Sequence, residues 1–118
     1  MKRSGMILVM NDAPSDEAFV EWLHGPHMEE VRATPGLTKI TRYEIVDGPP
    51  DRRQYVGVLE TDDLDATLAW RSSPESRRSQ EEADRRGIRN RYCLVCRPVY
   101  SGAAGTVSTG SAASKETK

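Results

Sequence analysis

Both histidines of the chain fall in one short stretch, Trp22 to Leu37, which reads WLHGPHMEEVRATPGL. His24 and His27 stand three residues apart around Gly25-Pro26. Imidazole is the side chain whose ordinary pKa lets it give and take protons near neutral pH. In an apolar pocket it can do so as a general base without help from a metal. The i,i+3 spacing also suits a shared metal ion, with Asp12 or Glu60 to complete the set. Two ligands without a clear third fall short of a metal site, and Gly25-Pro26 disturbs their geometry. The residues therefore point to proton transfer, with no metal and no cofactor. A satisfied core histidine is the structural alternative.

Other side chains could assist. Tyr43, Tyr55 and Tyr92 fall on strand-like segments and could hydrogen-bond a carbonyl or an enolate. Arg42 could bind an anionic group of a substrate. Arg42 and Tyr43 are neighbours on one strand, so they point to opposite faces and only one can reach a given cavity. Asp12 ends the first strand and is a further candidate, as is Glu60. Trp22 is a packing residue or a substrate platform. The run RRSQEEADRR reads as solvated surface. CLVC, Cys93 to Cys96, has C-x-x-C spacing, but a redox pair belongs at a helix start. On a strand these two face opposite sides, about 10 Å apart, and read as reduced core cysteines. No Gly-rich phosphate loop is present.

The elements that must position these groups follow from periodicity. Gly5 to Asn11 is a continuous apolar run and predicts a buried strand. Its basic-then-apolar start, MKRSGMILVMND, is too short in its apolar part for a signal peptide. Ser15 is a fair helix N-cap, and Pro35-Gly36 closes the helix that follows from about Asp16 to Ala33. Leu37 to Val46 and Arg53 to Glu60 read as strands joined through DGPPD. Asp62 to Arg86 is helical with an interruption near Ser73-Pro74. Gly87 ends it, and Ile88 to Tyr100 is a fourth strand. The order β-α-β-β-α-β is the ferredoxin-like split βαβ arrangement, an α+β fold. It implies a four-stranded antiparallel sheet with two helices on one face.

On the first helix, His27 falls in the middle of the apolar arc formed by Phe19, Val20, Leu23 and Val31, and His24 on its edge. Pro26 lacks the N–H that the carbonyl of Trp22 expects, so the helix kinks or restarts there. The strands carry apolar residues on both alternating sets, as in Met6, Leu8 and Met10 against Ile7 and Val9. Helices on one face leave the other bare, and a second copy packed sheet to sheet is the economical cover. A homodimer is expected.

Composition bounds the rest. With 118 residues, 36% hydrophobic and 30% charged, the chain fits one soluble domain. A net charge of −1 gives no basic field for nucleic acid. No apolar run approaches a membrane span, and the protein reads as cytoplasmic. Residues 1–100 form the domain. Residues 101–118, rich in Gly, Ala, Ser and Thr, read as a disordered tail.

The segment DEAFVEWLHGPHMEEVRATPGLTKITRYE resembles the EthD-like branch of the dimeric α+β barrel superfamily. Trp22, His27, Pro35, Gly36, Leu37, Arg42 and Tyr43 fall in that branch's order. In a competing alignment His24-Gly25-Pro26 supplies the family's His-x-Pro; spacing to Pro35-Gly36 favours His27. The resemblance implies a dimeric α+β barrel with a cavity between helices and sheet. It also implies small-molecule chemistry of the kinds the superfamily holds: ring isomerases, cyclases, dehydratases, cofactor-free monooxygenases and haem enzymes. Two readings of function result. One is a cofactor-free enzyme acting on a small apolar carbonyl or aromatic substrate, with His27 and Tyr43 catalytic and Trp22, His24, Arg42, Tyr55, Tyr92 and Asp12 binding substrate. The other is a non-catalytic homodimer that binds a small hydrophobic ligand or serves as an accessory subunit.

Overall fold

The apolar run near the start forms the central strand of a sheet. In the computed structural model, which describes residues 1–105, β1 (Gly5–Asp12) lies between β3 (Tyr55–Thr61) and β4 (Arg89–Cys96). The strand β2 (Leu37–Glu44) pairs with β3, giving the order β2-β3-β1-β4 with every neighbour antiparallel. This is the ferredoxin-like α+β fold expected from the element order. Residues 101–105 are exposed and carry no regular structure, and the rest of the expected tail lies outside the described residues. Among the described residues no helix is long and apolar enough to cross a membrane.

The first crossover is one continuous but irregular helix. The segment α1 (Glu17–Trp22) runs into a π-helical turn, Leu23–His27, and then into α2 (Met28–Arg32). Asp16, rather than Ser15, caps it: its carboxylate accepts from Phe19 N–H at 3.1 Å. The π turn answers the Gly25-Pro26 problem. Pro26 has no N–H to donate, and the helix absorbs this by widening, so that Met28 N–H reaches back to the carbonyl of Leu23. The chain neither breaks nor restarts.

The second crossover divides as its Ser-Ser-Pro predicts. The helix α3 (Leu64–Arg71) starts at its cap Asp63, and α4 (Pro74–Arg85) starts at Ser73, with Pro74 in the first turn, where a missing N–H costs nothing. Phe19, Leu23, Ala83 and Ile88 pack together between the helices and the sheet. At the far end Gly36, with φ of 83°, turns the chain into β2. A Cβ there would lie 2.8 Å from Thr61 Oγ1. Thr61 and Thr67 are buried and share a hydroxyl hydrogen bond of 2.7 Å, and the hydroxyl that accepts it donates its own proton to a carbonyl, Gly36 from Thr61 or Pro35 from Thr67.

The outer strand β4 differs from expectation in length and setting. It ends at Cys96 rather than Tyr100, and Val99 and Tyr100 are exposed. Both cysteines are free, but Cys93 is exposed rather than a core residue, on a strand at the edge of the sheet.

Candidate functional site

The π turn widens the first crossover above the sheet, and a cavity of about 110 Å³ lies there. Its floor is Val9 and Asn11 of β1, Ile40 and Arg42 of β2, Gly57 and Leu59 of β3, and Arg91 of β4. Gly57 stands opposite both Val9 and Arg42 in the register, so the floor carries no side chain at its centre. Leu23 and His27 of the π turn, Met28 and Val31 of α2, and Ser76, Ser79 and Gln80 of α4 close the roof, while Arg71 comes from the end of α3. Among the described residues no carboxylate lines it.

His27 is held from several sides. Its side chain is only 13% exposed. The ring stacks on Trp22 at 4.8 Å between centroids, with 26° between planes. Nδ1 lies 3.4 Å from the hydroxyl of Ser79 and 3.9 Å from Oε1 of Glu30. Ser79 spends its one proton on Glu30, at 2.8 Å. Its oxygen can then only accept, which places the imidazole proton on Nδ1 and leaves Nε2 with the lone pair. Burial pushes the His27 pKa below its ordinary value, Glu30 opposes this, and Arg91 adds to it. The ring is therefore neutral at neutral pH.

Arg42 is the second distinctive group. Its guanidinium lies over the Tyr55 ring at 3.8 Å, and its Nη2 is buried without a hydrogen-bond partner among the described residues. Burial lowers its pKa, against an opposing effect of Tyr55, but an arginine remains a cation under such a shift. Asn11 Oδ1 is likewise buried and unpartnered.

The sequence candidates thus separate. His27 and Arg42 line one cavity, and Tyr55 supports Arg42 from below. Trp22 does not line the cavity; it backs His27, and the Arg86 guanidinium sits 4.6 Å from its ring. His24 is exposed, as the helical wheel predicts for the edge of the apolar arc. Tyr43 and Tyr92 do not reach the cavity. Strand alternation puts them on the opposite face of the sheet, where they are 54% and 49% exposed. Of the adjacent pair, it is Arg42 that turns inward. Asp12 is engaged elsewhere: it accepts from Gln54 N–H at 2.9 Å and Asn90 Nδ2 at 2.6 Å, bonds that hold its pKa down. It ties β1 to its neighbours where the β1–β4 register shifts. Glu60 sits on the sheet's other face, opposite Met6.

Several lining residues escaped the sequence reading. Asn11 looked like the end of an apolar strand, Arg71 and Arg91 were not singled out, and the run RRSQEEADRR, which holds Ser79, Gln80 and Ala83, read as solvated surface. Ser76, Ser79, Gln80 and Ala83 recur at helical spacing on α4, but the stripe is small and polar. A search for apolar periodicity passes over it.

No protein-family model matches the chain, and no curated protein does. Solved structures do. An EthD family protein from Bacillus halodurans is 18% identical, with a TM-score of 0.58 over 77% of this chain and 96% of that one. A dimeric ferredoxin-like protein of unknown function from Thermobifida fusca is 12% identical, with a TM-score of 0.62 over 83% and 93%. SnoaB, a cofactor-independent oxygenase from Streptomyces nogalater, in a mutant form, is 12% identical, with a TM-score of 0.57 over 90% and 98%. At these identities the likeness is one of fold. The chain has the ferredoxin-like architecture of an EthD family protein, as its Glu17-to-Tyr43 segment implies.

Proposed function

We propose that this chain is a cofactor-free enzyme that uses His27 as a general base on a small carbonyl or aromatic substrate held between helices and sheet. The observation that carries the reading is the state of His27. It lines a mostly apolar cavity, burial keeps it neutral, and Ser79 occupies Nδ1 so that Nε2 holds the lone pair. A base in that state can take a proton from a carbon beside a carbonyl, or from a phenol. Glu30, reached through Ser79, stabilises the imidazolium that results. Returning the proton elsewhere gives an isomerase, a cyclase or a dehydratase, and reaction of the carbanion with dioxygen gives a monooxygenase. The fold shared with a cofactor-independent oxygenase supports this class without choosing within it.

The acting form is proposed to be a homodimer. The sheet face away from the helices carries Met6, Leu8, Met10, Val56 and Val58, with Tyr92 and Leu94 49% and 37% exposed. An apolar sheet face of that kind is covered most economically by a second copy. Proteins of the same fold are described as dimeric.

The test is proton exchange. A panel of cyclic ketones and β-dicarbonyl compounds is incubated in D2O, and wash-in at the α-carbon is followed by NMR. Wild type should catalyse exchange on some members and His27→Ala on none. Equal exchange by both proteins overturns the catalytic reading. Binding without exchange by wild type instead favours a ligand-binding dimer.

A further inference from the structure

We infer that the ligand of this cavity is a small organic monoanion: a ring-sized apolar body with a carboxylate at one end, held by Arg42, and a hydrogen-bond donor at the other, held by Asn11. The inference rests on the same cavity being the ligand site, but not on His27 being a catalyst.

Charge is the first argument. Three arginines, Arg42, Arg71 and Arg91, line the cavity, and among the described residues no aspartate or glutamate does. Arg91 is neutralised by Asp84 at 2.7 Å. Arg71 has only a long contact to the Cys93 sulfur, at 3.8 Å. Arg42 has no carboxylate within ion-pair distance among the described residues, and its buried Nη2 has no acceptor. Tyr55 offers it a ring face, which leaves the in-plane N–H groups unsatisfied. A half-buried guanidinium with a buried, unpartnered Nη2 favours an anion, and planar N–H forks match oxyanions such as carboxylates.

Geometry supplies the rest. Asn11 on β1 stands opposite Tyr55 of β3 and Arg42 on β2 opposite Gly57, so the two are two strand spacings and two residues apart, about 12 Å between backbones. Gly57 leaves the floor bare between Arg42 and Val9, while the Tyr55 ring, opposite Asn11 in the register, lies against the Arg42 guanidinium. Asn11 Oδ1, buried and unpartnered, calls for a donor such as a hydroxyl. The 110 Å³ space is smaller than the roughly 150 Å³ of an enclosed cavity that admits benzene, so it holds no body larger than a single ring. The surrounding Val9, Leu23, Val31, Ile40 and Leu59 suit an apolar body.

Calorimetric titration with 4-hydroxybenzoate and its neutral isostere 4-hydroxybenzamide, at pH 7.5, tests this. The acid should bind at least about tenfold more tightly than the amide, the scale of one charge-assisted hydrogen bond in a buried site. Arg42→Gln should erase that preference. His27→Gln should keep the preference. Should Arg42→Gln not fold, the acid-to-amide ratio in wild type decides alone. Equal binding of acid and amide overturns the inference, as does a preference that survives Arg42→Gln, or failure of both compounds to bind at millimolar concentration. An acid preference in a protein that catalyses no deuterium exchange leaves the inference standing and removes the proton-transfer reading.

Discussion

On the face of the sheet beneath the helices the side chains include Asn11, Arg42 and Arg91. On the bare face they include Met6, Leu8, Met10, Val56, Val58 and Leu94. These residues locally reverse the usual distribution, in which polar groups face water and apolar groups face the core; Val9, Ile40 and Leu59 on the covered face and Glu60 on the bare face keep to it. Each reversal has its own physical meaning. Unpartnered polar atoms under a roof of helices call for a ligand with matching groups. Apolar atoms without a roof call for a protein surface. The covered face is thus read as the site of chemistry and the bare face as the site of assembly. Tyr43 shows how sharp the division is, since one step along β2 moves a side chain from one role to the other.

The comparison can be broken first at the covered face. With a substrate in hand, His27→Ala should lower turnover by about 100-fold to 10,000-fold, the usual contribution of a general base, while the protein still folds. His24→Ala should change the rate by less than about twofold, because His24 is exposed. Similar losses at both would remove the distinction drawn between them.

At the bare face, Leu8→Asp places a charge at the middle of the proposed interface. Sedimentation equilibrium at micromolar concentration should give twice the chain mass for wild type and the single chain mass for the variant. A monomeric wild type would leave the apolar face unexplained. A variant that remains dimeric would show that the subunits meet elsewhere.

Gly36→Ala probes the turn that delivers β2, and Arg42 with it, to the covered face. The added Cβ meets Thr61 Oγ1 at 2.8 Å in a backbone conformation that alanine disfavours. Chemical denaturation should show a loss of about 1–3 kcal/mol. A loss below about 0.5 kcal/mol would show that the Thr61–Thr67 pair yields easily.

What the sequence reveals follows the same division. The fold was legible because its signals are local: an apolar run, caps, Pro35-Gly36, Ser73-Pro74 and Gly87. The inward face of His27 was legible because apolar neighbours at helical spacing mark it. The choice between Arg42 and Tyr43 was not, since alternation separates the two faces without saying which is covered. The π turn was hidden as well. Gly25-Pro26 announces an irregularity, and only packing decides between a break and a widened turn. The polar roof of α4 was hidden for a simpler reason. A serine that faces a cavity and a serine that faces water look alike in sequence.

The smallest effect concerns pH and isolates His27 without a substrate. Burial lowers its pKa in the folded chain below the 6.5 it takes when exposed. Between the lowered value and 6.5 the unfolded chain therefore binds more protons than the folded one. Stability in that window rises with pH, so the contribution is complete above about 6.5 and is lost as pH falls through the folded value. Glu30 and Arg91, the charged groups that act on the ring, oppose and reinforce the shift respectively, and burial outweighs both. Asp12 and Glu82 have lowered pKa values as well. Their losses begin only near and below the ordinary carboxylate values of 3.8 and 4.5, clear of most of the histidine window. Thermal melts of wild type and His27→Gln between pH 7.5 and about 5 should therefore diverge, with wild type losing melting temperature on acidification and the variant losing less. Parallel curves would mean that His27 titrates as an exposed histidine does, and its neutrality in the cavity would no longer support the role of a base.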